Sequence, residues 1–117
     1  MTHPRITLDR TLALLFLVAC VVAATPVSSA RSEVDAAGRA RLGHLLVQDC
    51  GSCHGLTMQG GLGKPLLPET LADRSVEILA EIILDGIPGT PMPPWRGLLT
   101  TEEARFLAET LKTGIAR

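Results

Sequence analysis

Tyrosine is absent from this chain and other large rings are scarce: Phe16, Trp95 and Phe106 are the whole aromatic set, 3 % of 117 residues. With so few rings a self-sufficient core is hard to build. A surplus charge of either sign is also lacking, since eleven Lys and Arg stand against twelve Asp and Glu. That balance leaves no polyanion footprint and no polybasic membrane patch, and it argues against nucleic acid as a partner. No apolar run is long enough to cross a bilayer, because the longest, residues 12–24, has 13 residues where about 20 are needed. Finally, the length leaves room for one small domain and none for a multidomain enzyme.

What is present begins with that short apolar run. Arg5 and Arg10 precede it and Ser28, Ser29 and Ala30 follow it. A basic start, a short apolar middle and small residues at the end form an export signal, so residues 1–30 read as a signal peptide cleaved after Ala30. Pro26 and the serine pair weigh against a buried core helix at this place. A competing pattern is Leu17-Val18-Ala19-Cys20, which resembles a bacterial lipobox with Cys20 acylated. It ranks second, because the apolar run continues past the cysteine and the Ser-Ser-Ala site goes unused.

Removing that segment leaves residues 31–117, with nine basic and eleven acidic side chains. Only Trp95 and Phe106 remain as rings. A domain this small usually depends on a disulfide, a metal or a large cofactor to complete its interior.

The two remaining cysteines identify the missing mass. Cys50-Gly51-Ser52-Cys53-His54 is a C-x-x-C-H sequence, the attachment signature of c-type haem. Residues i and i+3 share one helix face, so two sulfurs can bond the two vinyl groups of one porphyrin. His54, next in the chain, turns toward the iron, and the small Gly51 and Ser52 let the macrocycle edge come close. A thioredoxin-like redox pair needs a strand feeding a helix, and no alternating β-branched run precedes Cys50. A zinc site needs further ligands, and His44 is the only other histidine after residue 30. A structural disulfide is possible in an exported chain but leaves His54 unexplained.

A second axial ligand has three candidates: Met58, Met92 and His44. Met58 follows His54 by four residues, a reach of at most ~14 Å, too short to round the macrocycle and return to its centre. It is expected to pack near the haem edge. Met92 stands far along the chain in Gly89-Thr90-Pro91-Met92-Pro93-Pro94-Trp95, where three prolines stiffen the loop. It is the expected ligand, with ordinary core filling as its alternative. His44 lies on the helix entering the motif and is expected at the surface.

The coarse organisation is all-α. A first helix is expected from about residue 32 to 49, capped by Ser32 or Asp35, with Val34, Ala37, Leu42, Leu45 and Leu46 inward. Residues 55–68 hold too many glycines and prolines for a helix and read as a loop wrapped against the haem. Asp73 is the expected cap of a second helix ending at Gly86, and Thr100 with Glu103 forms a capping box that opens a last helix ending before Gly114. Leu66, Leu67, Leu71, Ile78 and Ile82 are the expected pocket wall. Trp95 has two readings, an indole N–H donated to a haem propionate or plain core packing.

These features together resemble the class I cytochrome c family over residues 32–114: a helix entering Cys-x-x-Cys-His, a methionine in a proline-rich loop, and a closing helix. The resemblance implies three main helices and loops around one covalent haem. It also implies that the first and last helices cross at a small residue facing an aromatic, for which Gly38 or Gly43 with Phe106 are available. Leu42, eight residues before Cys50, stands where the family often has glycine, and Thr110 stands where it often has an aromatic. A narrower resemblance rests on residues 48–57, on Gly60-Gly61-Leu62-Gly63 and on residues 88–95. These are similar to the cytochrome c-55X family, small periplasmic c-type cytochromes encoded beside cytochrome cd1 nitrite reductase. That similarity implies electron delivery linked to nitrite reductase or to maturation of its d1 haem.

The resulting expectation is a periplasmic electron carrier, not an enzyme, with Cys50 and Cys53 holding haem and His54 and Met92 as axial ligands. Methionine ligation favours ferrous iron. Its redox partner is expected to be a protein such as the nitrite reductase or a d1-haem maturation protein. The alternatives are a gas-binding or peroxidase-like haem protein with a labile distal ligand, and an accessory of tetrapyrrole biosynthesis. Mass spectrometry of the exported protein should give a chain starting at Arg31 plus the mass of one haem; a diacylated Cys20 start would establish the lipobox instead.

Overall fold

The structure, a computed structural model, describes residues 33–115. The expected signal peptide, the lipobox cysteine and the possible cap Ser32 lie outside the described residues. Among the described residues there are helices and turns but no strand, and no helix is long and apolar enough to cross a membrane.

Helix α1 (Ala36–Leu45) starts at Asp35, whose extended backbone lets its carboxylate accept the Gly38 N–H at 2.7 Å, the capping expected of this residue type. Leu42 and Leu46 are buried and Val34 and Leu45 partly so, whereas Ala37 is exposed, contrary to its expected inward place. The helix does not stop at residue 49. It widens into a π turn over Leu46–Cys50, where the Gly51 N–H reaches back to the Leu46 carbonyl, and continues as α2 (Gly51–His54). One extra residue in a turn rotates everything after it by about 100°. Cys50, Cys53 and His54 thereby leave the buried Leu42–Leu46 stripe for half-exposed positions.

A single 3₁₀ turn (Pro68–Thr70) leads to α3 (Val76–Asp85). Ser75, not the expected Asp73, caps α3: its Oγ accepts the Ile78 N–H at 3.2 Å, and Asp73 sits exposed two residues upstream in the turn. Helix α4 (Thr101–Thr113) opens with the expected reciprocal box, the Glu103 N–H donating to Thr100 Oγ1 at 3.2 Å and the Thr100 N–H to Glu103 Oε2 at 2.9 Å.

The core is aliphatic. Leu42 and Leu46, Leu79, Ala80 and Leu84 of α3, and Ala104, Leu107, Ala108 and Leu111 of α4 are buried with Met58, Leu71 and Leu99, while Trp95 and Phe106 pack against this cluster only partly buried. Neither glycine proposed for the crossing of α1 and α4 is there. A Cβ at Gly43 would meet nothing within 4 Å, and one at Gly38 would meet only Val34 and Asp35. The size relation is reversed: Leu42 on α1 is fully buried and the small residues, Ala104 and Ala108, stand on α4. An Arg41–Glu103 ion pair joins the same two helices.

Lys112 of α4 ties down the turn before α3, its Nζ donating to the carbonyls of Leu71 at 3.0 Å, Ala72 at 3.3 Å and Arg74 at 2.5 Å. Lys112→Met keeps the aliphatic stem and removes these charged donors. Urea denaturation should show a loss of about 1–3 kcal/mol with an unchanged m-value.

Candidate functional site

The Cys-x-x-Cys-His segment forms the π turn and α2, so the helix itself presents the two thiols and the imidazole. Both thiols are free and half-buried. Burial, reinforced by the neighbouring Asp49 carboxylate, pushes the Cys50 thiol up to about 11. It stays protonated at neutral pH, unlike the low-pKa thiol of a redox pair. Ser52 Oγ donates to the Asp49 carbonyl at 2.6 Å, turning the hydroxyl back onto the helix.

His54 is oriented by backbone alone. Its Nδ1 lies 2.6 Å from the Lys64 carbonyl. A carbonyl only accepts, so Nδ1 carries the hydrogen and Nε2 keeps a lone pair for a metal. The glycine-rich stretch after the motif makes this possible. The Gly60 N–H donates to the His54 carbonyl and the Gly63 N–H to the Cys53 carbonyl, both at 2.8 Å, closing the end of α2. Gly63 then lies flat on the ring: a Cβ there would stand 2.6 Å from Cε1 and 2.7 Å from Nδ1 of His54.

Met92 is half-buried in the loop between α3 and α4, whereas Met58 is 2 % exposed and belongs to the core. Met58 has φ +59°, its N–H bonds the Gly55 carbonyl at 2.8 Å and its carbonyl accepts the Leu66 N–H at 2.9 Å. Both backbone groups and the thioether are thus committed to packing. His44 is exposed in the last turn of α1, as expected. Trp95 is half-buried against the core.

Of the expected pocket wall, Leu71 is buried and Leu66, Leu67 and Ile82 half-buried, while Ile78 is 51 % exposed. Ile78 and Ile82, one turn apart on α3, form an apolar stripe that the described residues do not fully cover. A cleft of about 310 Å³ lies between Val47, Met58, Leu66, Leu67 and Ile115; it shares Leu66 and Leu67 with the expected wall and includes none of Cys50, Cys53, His54 or Met92. A free Nε2, two half-exposed thiols on one helix and uncovered apolar side chains on α3 fit a covalently held haem, with its mass completing an aliphatic core. The Lys64 carbonyl and the π turn were invisible to sequence reasoning, the first because any residue type supplies a carbonyl.

Comparison with known proteins agrees with this chemistry. Residues 37–109 match the profile of the family described as Cytochrome C oxidase, cbb3-type, subunit III. Cytochrome c55X of Paracoccus denitrificans (strain Pd 1222) is 51 % identical over 98 residues, covering 84 % of this chain and 88 % of that protein. The solved structure of the c-type cytochrome NirC superposes with a TM-score of 0.66 at 52 % identity, covering 68 % of this chain and 93 % of that one. Dihydro-heme d1 dehydrogenase of Pseudomonas aeruginosa is 39 % identical over 75 residues, 64 % of this chain but 15 % of the dehydrogenase.

Gly63→Ala should push the imidazole off the Lys64 carbonyl. In the reduced, haem-loaded protein, NMR should find the His54 Nδ1 proton exchanging at least about tenfold faster, since the hydrogen bond that protects it is lost. Gly97→Ala, at a position with open space around its Cβ, should leave that rate unchanged.

Proposed function

The chain belongs to the c-type cytochromes of the cytochrome c55X family and carries covalent haem c; from that premise we propose that it is a periplasmic one-electron carrier in which His54 and Met92 would hold the haem iron. The observation that carries this reading is the His54–Lys64 contact, which commits Nδ1 and leaves Nε2 as the donor. Cys50 and Cys53 are the thioether anchors, delivered on one helix a turn apart. Bound haem supplies reversible storage of one electron at its iron. The Lys64 carbonyl holds the imidazole in one tautomer and one orientation. Met92 offers a soft, neutral sulfur, which favours the ferrous state. Both residues would hold the iron, which would leave no position for a substrate, so the chain would pass electrons and leave bond-making to a partner.

The partner we propose belongs to the nitrite reductase system of denitrification: the reductase itself or the maturation of its d1 haem. Two observations support this. The cytochrome c55X relatives cover most of this chain, and a segment similar to it makes up a small part of a dihydro-haem d1 dehydrogenase. A dehydrogenation releases two electrons with two protons, and one-electron carriers of this kind remove the electrons in two successive encounters. Export through residues 1–30 and cleavage after Ala30 place the carrier in the periplasm.

The distal ligand decides between a carrier and a gas-binding haem protein. Ferric protein should show the weak near-infrared sulfur-to-iron absorption. Met92→Ala should abolish it, lower the reduction potential and let carbon monoxide bind the reduced protein. Met58→Leu, which conserves core volume, should change none of the three. Carbon monoxide binding to the unaltered reduced protein would instead support the gas-binding reading.

A further inference from the structure

We propose that the C-terminal end of α3 is a clamp that positions the Met92 segment, with Gly86 as its seat and Arg96 as its latch. The proposal rests on Met92 being the distal ligand, as read above.

Gly86 ends α3 with its N–H on the Ile82 carbonyl at 2.9 Å and a backbone at φ +67°, ψ −167°, a combination almost confined to glycine. The space a side chain would need is already filled. A Cβ at Gly86 would lie 2.6 Å from the Met92 carbonyl oxygen, 2.7 Å from the Pro93 carbonyl carbon and 2.8 Å from the Pro94 nitrogen. All three are backbone atoms, which cannot swing aside as a side-chain tip can. To restore a separation of about 3.5 Å, the whole Met92-Pro93-Pro94 stretch must retreat by close to 1 Å.

The rest of the loop is stitched to the same helix end. The Ile87 N–H donates to the Met92 carbonyl at 3.2 Å, the Trp95 N–H to the Leu84 carbonyl at 3.0 Å, and the Arg96 N–H to that same carbonyl at 3.0 Å. Thr90 Oγ1 donates to the Ile87 carbonyl at 2.8 Å and accepts the Met92 N–H at 3.3 Å. Three prolines in the segment supply no donors, so closing it falls to the amides of Ile87, Thr90, Met92, Trp95 and Arg96. Beyond Met92 the Arg96 guanidinium forks onto α3, Nε to Asp85 Oδ1 at 2.8 Å and Nη2 to Glu81 Oε2 at 3.0 Å. Arg96 holds the Asp85 carboxyl below the usual carboxylate range. These ion pairs are exposed, and such pairs are individually weak; the Gly86 contact therefore bears more of the positioning than the latch.

Gly89, in the same loop, supplies an internal control. It also has a positive φ, +76°, but nothing lies within 4 Å of where its Cβ would stand. Strain without displacement can thus be separated from displacement.

The readout is imidazole binding to the ferric, haem-loaded chain, because an outside ligand enters only when the thioether is off and its apparent affinity scales with the open fraction. Gly86→Ala should raise that affinity by about tenfold or more, Arg96→Gln by about two- to threefold, and Gly89→Ala by less than about twofold. Reduction potentials should fall in the same order. The proposal is overturned if Gly86→Ala stays within about twofold of the parent, or if Gly89→Ala matches Gly86→Ala. Should Gly86→Ala yield no folded haem protein, Arg96→Gln decides, and an unchanged affinity there overturns the clamp. Met92→Ala with a parental near-infrared band and affinity would refute the ligand assignment itself, an outcome distinct from a failed clamp.

Discussion

Where α2 ends, the carbonyls of Cys53 and His54 have no helical partner, and the fold around the motif follows from how they are satisfied. The chain turns at Gly55 and comes back, so that the Gly60 and Gly63 amides reach those two carbonyls. That return lays the Lys64 carbonyl against the imidazole. It also brings the Leu66 amide to the Met58 carbonyl, which fixes where Leu66 and Leu67 enter the 3₁₀ turn. Downstream, Lys112 secures the next turn from the far side. His54 is thus held by a run of backbone contacts whose geometry owes little to side chains.

Packing follows from the scarcity of rings. With no aromatic among the described residues fully buried, leucines, alanines and Met58 form the described core, Leu42 of α1 and Ala104 and Ala108 of α4 among its most buried members. Helix α3 is apolar beyond what that core can use. Its Leu79, Ala80 and Leu84 are buried, while Ile78 and Ile82 remain partly or largely exposed. The surplus belongs with a bulky apolar group of non-protein origin, as the small size of the domain requires.

The elements that were legible in the sequence are those that side chains specify. The Asp35 cap and the Thr100–Glu103 box depend on particular functional groups at fixed offsets. What was not legible depends on backbone geometry or on competition between equivalents. The π turn has no residue signature and shifts the motif off the Leu42–Leu46 stripe. Ser75 displaced Asp73 as a cap because either can accept an N–H and only the register of the helix chooses. Gly38 and Gly43 fit a family pattern for the crossing, yet a Cβ at Gly43 would meet nothing and the fully buried residue of α1 is Leu42. Gly86 read as a helix stop, and it is one; its contact with residues 92–94 appears only when the loop is folded back.

The Arg41–Glu103 pair has a consequence for how fast this chain can assemble. It joins residues 62 positions apart, whereas Glu77 and Arg105 on α3 and α4 close a span less than half as long. By polymer statistics the wider closure costs about 0.7 kcal/mol more chain entropy. Contacts between α3 and α4 are therefore favoured early, and docking of α1 comes as the late, high-contact-order step. Until then Cys50 and Cys53 sit on a helix held only by its own local closure through the Gly60 and Gly63 amides.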